Sequence, residues 1–149
     1  MKPLKNILVP VDFSPYSEHA VRVASELSAT FSAPLVLIHV YDPVAYPLPD
    51  GYVLYTPGQL SKMWAEFDRR LEVDQREAMG YGAVSADTRL LQGLTAEEIV
   101  RVAHDEGFDL IVLGSHGRRG LQRFLLGSVA ARVLQLAHCA VLTVKLPRP

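Results

Sequence analysis

Asp109-Leu110-Ile111-Val112-Leu113-Gly114-Ser115-His116-Gly117 is a buried-strand pattern that ends in a glycine loop. Leu110-Ile111-Val112-Leu113 is apolar without interruption, as expected for a strand covered on both faces. Gly117 is followed by nine residues and then by Gly127 and Ser128, where a helix starts whose apolar face carries Val129, Val133, Leu136 and Ala137. Glycines at a strand exit let the backbone bend and approach a ligand with no Cβ in the way. The start of a helix offers unpaired N–H groups and the positive end of its dipole, which suits phosphate. Arg118, Arg119 and Arg123 lie in the loop between. Together these features read as a phosphate cradle, and so as nucleotide binding.

Working outward, four further apolar runs read as strands: residues 4–11, 35–41, 83–91 and 140–144. The run 83–91 mixes in polar residues and fits an edge better than a centre. Helical patterns alternate with the strands. Ser14-Pro15 places a cap ahead of a proline at the first helical position, and Ala20, Val23, Ala24 and Leu27 follow on one face. Leu60, Met63, Trp64, Phe67 and Leu71 form a second stripe. Thr95-Ala96-Glu97-Glu98 reads as a capping box ahead of Ile99, Val102 and Ala103, with Gly107 closing that helix. This alternation predicts a single α/β domain over 1–149, with right-handed crossovers and a parallel sheet.

Composition bounds the partners. The chain is 49% hydrophobic and 21% charged, with 15 basic and 16 acidic side chains and a net charge of −1. That balance argues against a nucleic-acid coat, which needs a basic face. No apolar run approaches a membrane span. No signal peptide is visible at the start, and a cytoplasmic protein is the default expectation. The one cysteine, Cys139, makes no intrachain disulfide or metal cluster. His19, His39, His104 and His138 stand at unrelated spacings and read as structural or surface residues. Residues 42–58 form a long loop with Pro43, Pro47, Pro49 and Pro57, and with tyrosines in or beside it. It reads either as a surface loop packed by its own aromatics or as a lid.

In open parallel sheets a ligand sits beyond the carboxyl ends of the strands, where the strand order reverses. The exits of the first and fourth strands should meet there, so that Val9-Pro10-Val11-Asp12-Phe13-Ser14 faces the glycine loop. Asp12 could accept from ribose hydroxyls or hold a divalent ion, Mg or Mn, directly or through water. Its other reading is a cap on the first helix alongside Ser14. Gly127 and Ser128 would supply N–H groups and a hydroxyl to phosphates, or simply an ordinary helix cap. Arg118, Arg119 and Arg123 are either phosphate contacts or solvated charges. His116 could bond phosphate or ribose. Val40, ending the second strand, offers its backbone to an adenine edge and its side chain to the ring, or is a core valine. A G-x-x-x-x-G-K-[ST] loop, a G-x-G-x-x-G turn and a G-x-S-x-G elbow are all missing from the sequence.

At this point the chain resembles the universal stress protein family over nearly its whole length. The residues that carry the resemblance are Val9-Pro10-Val11-Asp12-Phe13-Ser14, His39-Val40-Tyr41, and Asp109 through Gly117. Gly114, Gly117, Gly127 and Ser128 meet the spacing G-x₂-G-x₉-G-[ST], which marks that family's ATP-binding subclass. The resemblance implies a five-stranded parallel sheet in the order 3-2-1-4-5, helices on both faces, and an adenine nucleotide alpha hydrolase-like arrangement. It places adenine near Val11 and Val40, beside Pro10, and ribose near Asp12. Phosphates fall at Gly117, Gly127, Ser128 and Val129. It implies a homodimer and a role in stress tolerance. The strand Ala140–Val144 also suggests pairing with its own copy, because an edge with so little charge needs cover, unless the tail 145–149 supplies it. The expected function is an ATP-binding sensor or regulatory module. A slow metal-dependent ATPase or phosphotransferase, and a structural dimer module without nucleotide, stand as alternatives.

Overall fold

The computed structural model describes residues 3–42, 55–118 and 126–147. In chain order the elements are β1 (Ile7–Pro10), α1 (Pro15–Phe31), β2 (Leu35–Tyr41), α2 (Pro57–Gly80), β3 (Ala86–Gln92), α3 (Thr95–Asp105), β4 (Leu110–Gly114), α4 (Ser128–Leu136) and β5 (Ala140–Val144). The strands form one sheet in the order β3-β2-β1-β4-β5, every pairing parallel. This is the order expected above, with the polar-mixed β3 at one edge.

Strand alternation divides the interior in two. Ile7, Val9, Leu35, Leu37 and Val112 face α1 and α2, where Ala20, Val21, Ala24 and Leu71 meet them. Leu8, Ile38, Val40, Ile111 and Leu113 face α3 and α4, against Ile99, Val102, Ala103 and Val133. Each fully buried Leu or Ile stabilises the fold by roughly 1.5–3 kcal/mol. The chain runs outward from β1 through β2 to β3 with helices on one face. It then returns to β4 and β5 with helices on the other. A constant crossover hand requires this change of face. It leaves the ends of β1 and β4 side by side with their outgoing loops diverging.

Local chemistry moves several boundaries. The first strand is shorter than residues 4–11: it starts at Ile7 and ends at Pro10, and beyond it Phe13 takes φ 62° as the chain turns out of the sheet. The third strand begins at Ala86, not at residue 83. The Ala83 N–H donates to the Ala78 carbonyl and the Val84 N–H to Ser28 Oγ, so these residues complete the exit from α2. Helix α1 starts as expected: Ser14 Oγ accepts from the Ser17 N–H, and Pro15 occupies the first turn. The capping box expected at Thr95 is absent there. Leu94 is the cap residue, with no side-chain bond, and the helical ladder opens with the Glu98 N–H on the Leu94 carbonyl. A capping box stands instead at Thr56 and Gln59, ahead of α2, so Pro57 and Gly58 belong to the helix and not to the loop. Gly107, at φ 68°, follows the end of α3 as expected. Most of the proline- and tyrosine-rich stretch lies outside the described residues. No helix among those described is long and apolar enough to cross a membrane.

Candidate functional site

A cavity of about 510 Å³ opens at the carboxyl end of the sheet, over the diverging ends of β1 and β4. Pro10, Val11, Asp12, Val40, Gly114, His116, Gly117, Arg118, Gly127, Ser128 and Val129 all line it. Arg119 and Arg123 fall outside the described residues. The remaining wall was not singled out in the sequence. Ile38, Ile99, Leu113, Leu126 and Ala130 give it an apolar floor, and Ser17, His39, Tyr41, Asp42, Phe67 and Thr95 complete it. Strand alternation carried part of that signal, since Ile38 shares a face with Val40. Phe67 sat in the helical stripe and gave no separate sign.

Asp12 joins the two loops. Its Oδ1 accepts from the Ser14 N–H at 3.1 Å, and its Oδ2 accepts from the Arg118 N–H at 3.0 Å. Its own N–H donates to Ser17 Oγ at 3.3 Å. Ser14, and not Asp12, caps α1. Each carboxylate oxygen retains room for another donor or a cation.

The glycines are there for space, but the space is taken by protein. A Cβ on Gly117 would lie 2.7 Å from Asp12 Oδ2. On Gly114 it would lie 2.8 Å from Tyr16 Cβ, and on Gly127 3.2 Å from His116 Cα. The glycine pattern therefore permits loop-to-loop and loop-to-helix contact, where sequence reasoning had assigned the room to a ligand. The Gly127 N–H is also committed, donating to the Ser115 carbonyl at 2.7 Å. Gly127 is the cap residue of α4 and Ser128 its first helical residue; no side chain caps the helix. The first-turn N–H groups at Ser128, Val129 and Ala130 precede the first ladder bond, which runs from the Ala131 N–H to the Gly127 carbonyl. They form the donor end that faces the cavity.

Beside Asp12 an aromatic group packs on the α1/α2 side of the sheet. The His39 ring lies 4.6 Å from Phe13 and 4.6 Å from Phe67, centroid to centroid. The guanidinium groups of Arg70 and Arg118 sit 5.3 and 5.8 Å from the Phe13 ring centroid, within cation–π range. Burial pushes the His39 pKa down, and Arg118 and Arg70 add to this, against the opposing pull of the Val11 carbonyl and Asp12. His116 stacks at a tilt on Tyr16, and its Nδ1 lies 3.0 Å from Ser115 Oγ. His104 and His138, far apart in sequence, stand with ring centroids 5.4 Å apart. No group of three or more potential metal-ligating side chains occurs among the described residues. Asp12 and Asp42 are the carboxylates that line the cavity, too few to hold a divalent ion by themselves, which fits an ion that takes most of its oxygens from phosphate and water.

The arrangement invites comparison with known proteins. Residues 3–145 match the sequence profile described as the universal stress protein family. Universal stress protein MJ0531 of Methanocaldococcus jannaschii is 38% identical over 147 residues, covering 97% of this chain and 84% of that protein. Universal stress protein MJ0577 of the same organism is 32% identical over 154 residues, covering 95% of this chain and 94% of that protein. A solved structure of MJ0577 superposes with a TM-score of 0.85 at 30% identity, covering 99% of this chain and 100% of that one. A universal stress protein solved in complex with cAMP superposes with a TM-score of 0.74 at 25% identity, covering 97% and 98%. Sequence and fold agree along the whole described chain: it belongs to the universal stress protein family.

Proposed function

We propose that this protein binds an adenine nucleotide, ATP foremost, and acts as a nucleotide-loaded sensor or regulatory module in the stress response. The observation that carries the reading is one cavity that brings together three chemistries a nucleotide needs. Its apolar floor, Val40, Ile99 and Leu113, suits a base. Asp12, with spare acceptor capacity on both oxygens, suits ribose hydroxyls. The uncapped first turn of α4, with the Ser128 hydroxyl, suits phosphates. Arg118 lines the same cavity. Charge-assisted bonds contribute roughly 1.5–3 kcal/mol each, so a few reach the −8 kcal/mol or so of micromolar binding. A universal stress protein of this fold has been solved in complex with cAMP, which supports an adenine nucleotide as the ligand class. Mg or Mn, if it accompanies ATP, would rest on Asp12 and supply charge neutralisation to the phosphates.

The protein also pairs, in this reading, as a homodimer through Ala140–Val144, whose outer edge has no strand partner among the described residues. The test begins with mass spectrometry of small molecules released from freshly purified, denatured protein. It continues with ATP titration by calorimetry. The expected result is adenine nucleotide in the released pool and micromolar binding, weakened at least tenfold or so in Asp12→Ala by the loss of charge-assisted bonds. Absence of binding by the wild type overturns the reading. Phosphate release above buffer with Mg or Mn, lost in Asp12→Ala, would move the function to a slow ATPase.

A further inference from the structure

We infer that His39 is a positioning residue of the nucleotide site: its imidazole takes over the Val11 carbonyl, which leaves the Val40 N–H for the base and holds the turn that presents Asp12. The inference rests on the nucleotide reading above and adds a specificity device to it.

The parallel ladder between β1 and β2 runs in register from Ile7 opposite Leu35 to Pro10 opposite Ile38. One more bond follows, from the Val11 N–H to the Ile38 carbonyl at 2.8 Å. In a parallel ladder the N–H and carbonyl of one residue reach neighbours two apart on the adjoining strand. The next bond should thus run from the Val40 N–H to the Val11 carbonyl. It is not formed among the described residues. His39 Nδ1 lies 2.8 Å from that carbonyl instead. A carbonyl only accepts, so Nδ1 carries the proton and donates. The side chain of one strand residue has replaced the backbone of the next. The residue whose ladder bond is missing, Val40, lines the cavity.

The same ring braces the turn. Phe13 holds φ 62°, unfavourable for a bulky L residue, and its ring packs on His39, itself backed by Phe67. Asp12 lies between the pinned Val11 carbonyl and this strained residue. Its carboxylate reaches Ser14 and Arg118 only in that turn. His39 is nearly buried, and its lowered pKa suits a neutral ring with a single fixed donor. Leucine at this position would fill much of the space without donating. Asparagine would place an N–H near the same carbonyl.

Amide hydrogen exchange by NMR on the full chain tests the first step without nucleotide. The Val40 amide should exchange much faster than those of Leu37 and Ile38 in the free protein, and slow on saturation with ATP. In His39→Leu the Val40 N–H should return to the ladder and become protected without ATP. ATP affinity should then fall about tenfold, the scale of one hydrogen bond. GTP affinity should change far less, because guanine presents a donor where adenine presents the N1 acceptor. His39→Asn should restore the preference for ATP. A merely structural role would weaken both nucleotides alike, and that result overturns the inference. So does a Val40 amide already protected in a wild type that binds ATP, a measurement that needs no variant to fold. A wild type that binds no adenine nucleotide overturns the functional reading itself.

Discussion

Gly114 and Gly117 stand three residues apart, and their missing side chains face different neighbours. A methyl on Gly114 would press on Tyr16 Cβ at 2.8 Å and on its carbonyl carbon at 3.0 Å, both on the frame of α1. A methyl on Gly117 would meet only the Asp12 carboxylate, at 2.7 Å from Oδ2. Gly114→Ala should therefore lose about 1–3 kcal/mol of stability by overpacking, with nucleotide affinity of the folded protein little changed. Gly117→Ala should keep its melting temperature and lose binding, because the carboxylate must move. Thermal melts and ATP titrations of the pair decide this, and the opposite pattern would place the site elsewhere. Asp74 gives a second prediction at this scale. Burial pushes its pKa up to about 7, helped by Glu77 and Glu18 and opposed by Arg70. The folded state then holds this proton more tightly than the unfolded chain. Stability from this group is complete below the ordinary carboxylate range, near pH 4, and is lost as pH rises toward 7. Asp74→Asn should be more stable than the wild type at pH 8, roughly 2–4 °C in melting temperature for each kcal/mol. The difference should vanish near pH 4, and a gain independent of pH would refute the assignment.

Among the elements, α4 and β5 carry the proposed function. Helix α4 begins without a side-chain cap, which leaves its first-turn donors to whatever enters the cavity, whereas α1 and α2 are capped by Ser14 and Thr56. Helix α3 likewise starts without a side-chain cap, at Leu94, so it is the position of α4 at the cavity that gives its free donors their interest. Strand β5 presents Ala140 and Leu142 outward, with Leu142 37% exposed. An edge of this kind, lightly charged, is a template for another strand. Leu142→Lys should shift the protein from dimer to monomer in sedimentation velocity while its circular dichroism stays unchanged. A wild type that sediments as a monomer at all concentrations would remove this edge as the interface. The caps also show how far local pattern reaches. Ser14-Pro15 was legible because cap and proline occur together. Thr95 resembled a cap but was overruled: Gly93 donates to the Tyr41 carbonyl, and the chain enters α3 one residue early. Thr56 was passed over because it sits at the end of a proline-rich stretch that read as loop.

At the scale of the whole molecule, the switch point explains why a site exists at all. Loops leaving β1 and β4 part toward opposite faces, and the gap between them is the cavity. Sheet direction and the meeting of Asp12 with the glycine loop were readable from pattern, whereas the strand order came from the family resemblance. Continuous apolar runs mark doubly covered strands, and crossover handedness leaves few ways to arrange them. Eleven of the residues expected at the site do line one cavity. What pattern could not supply was which atoms remain unspent. The Gly127 N–H looked available and is used by Ser115; His39 looked structural and also holds the Val11 carbonyl beside the site. Such commitments depend on distances of a few tenths of an ångström between segments far apart in the chain. Periodicity and composition therefore determined the parallel α/β architecture and pointed to the candidate site at its switch point, since both follow from hydrophobic burial and chain chirality. Only the tertiary structure decided which donors and acceptors are left for a ligand, because hydrogen bonds saturate and the claims on each group come from residues that sequence spacing does not bring together.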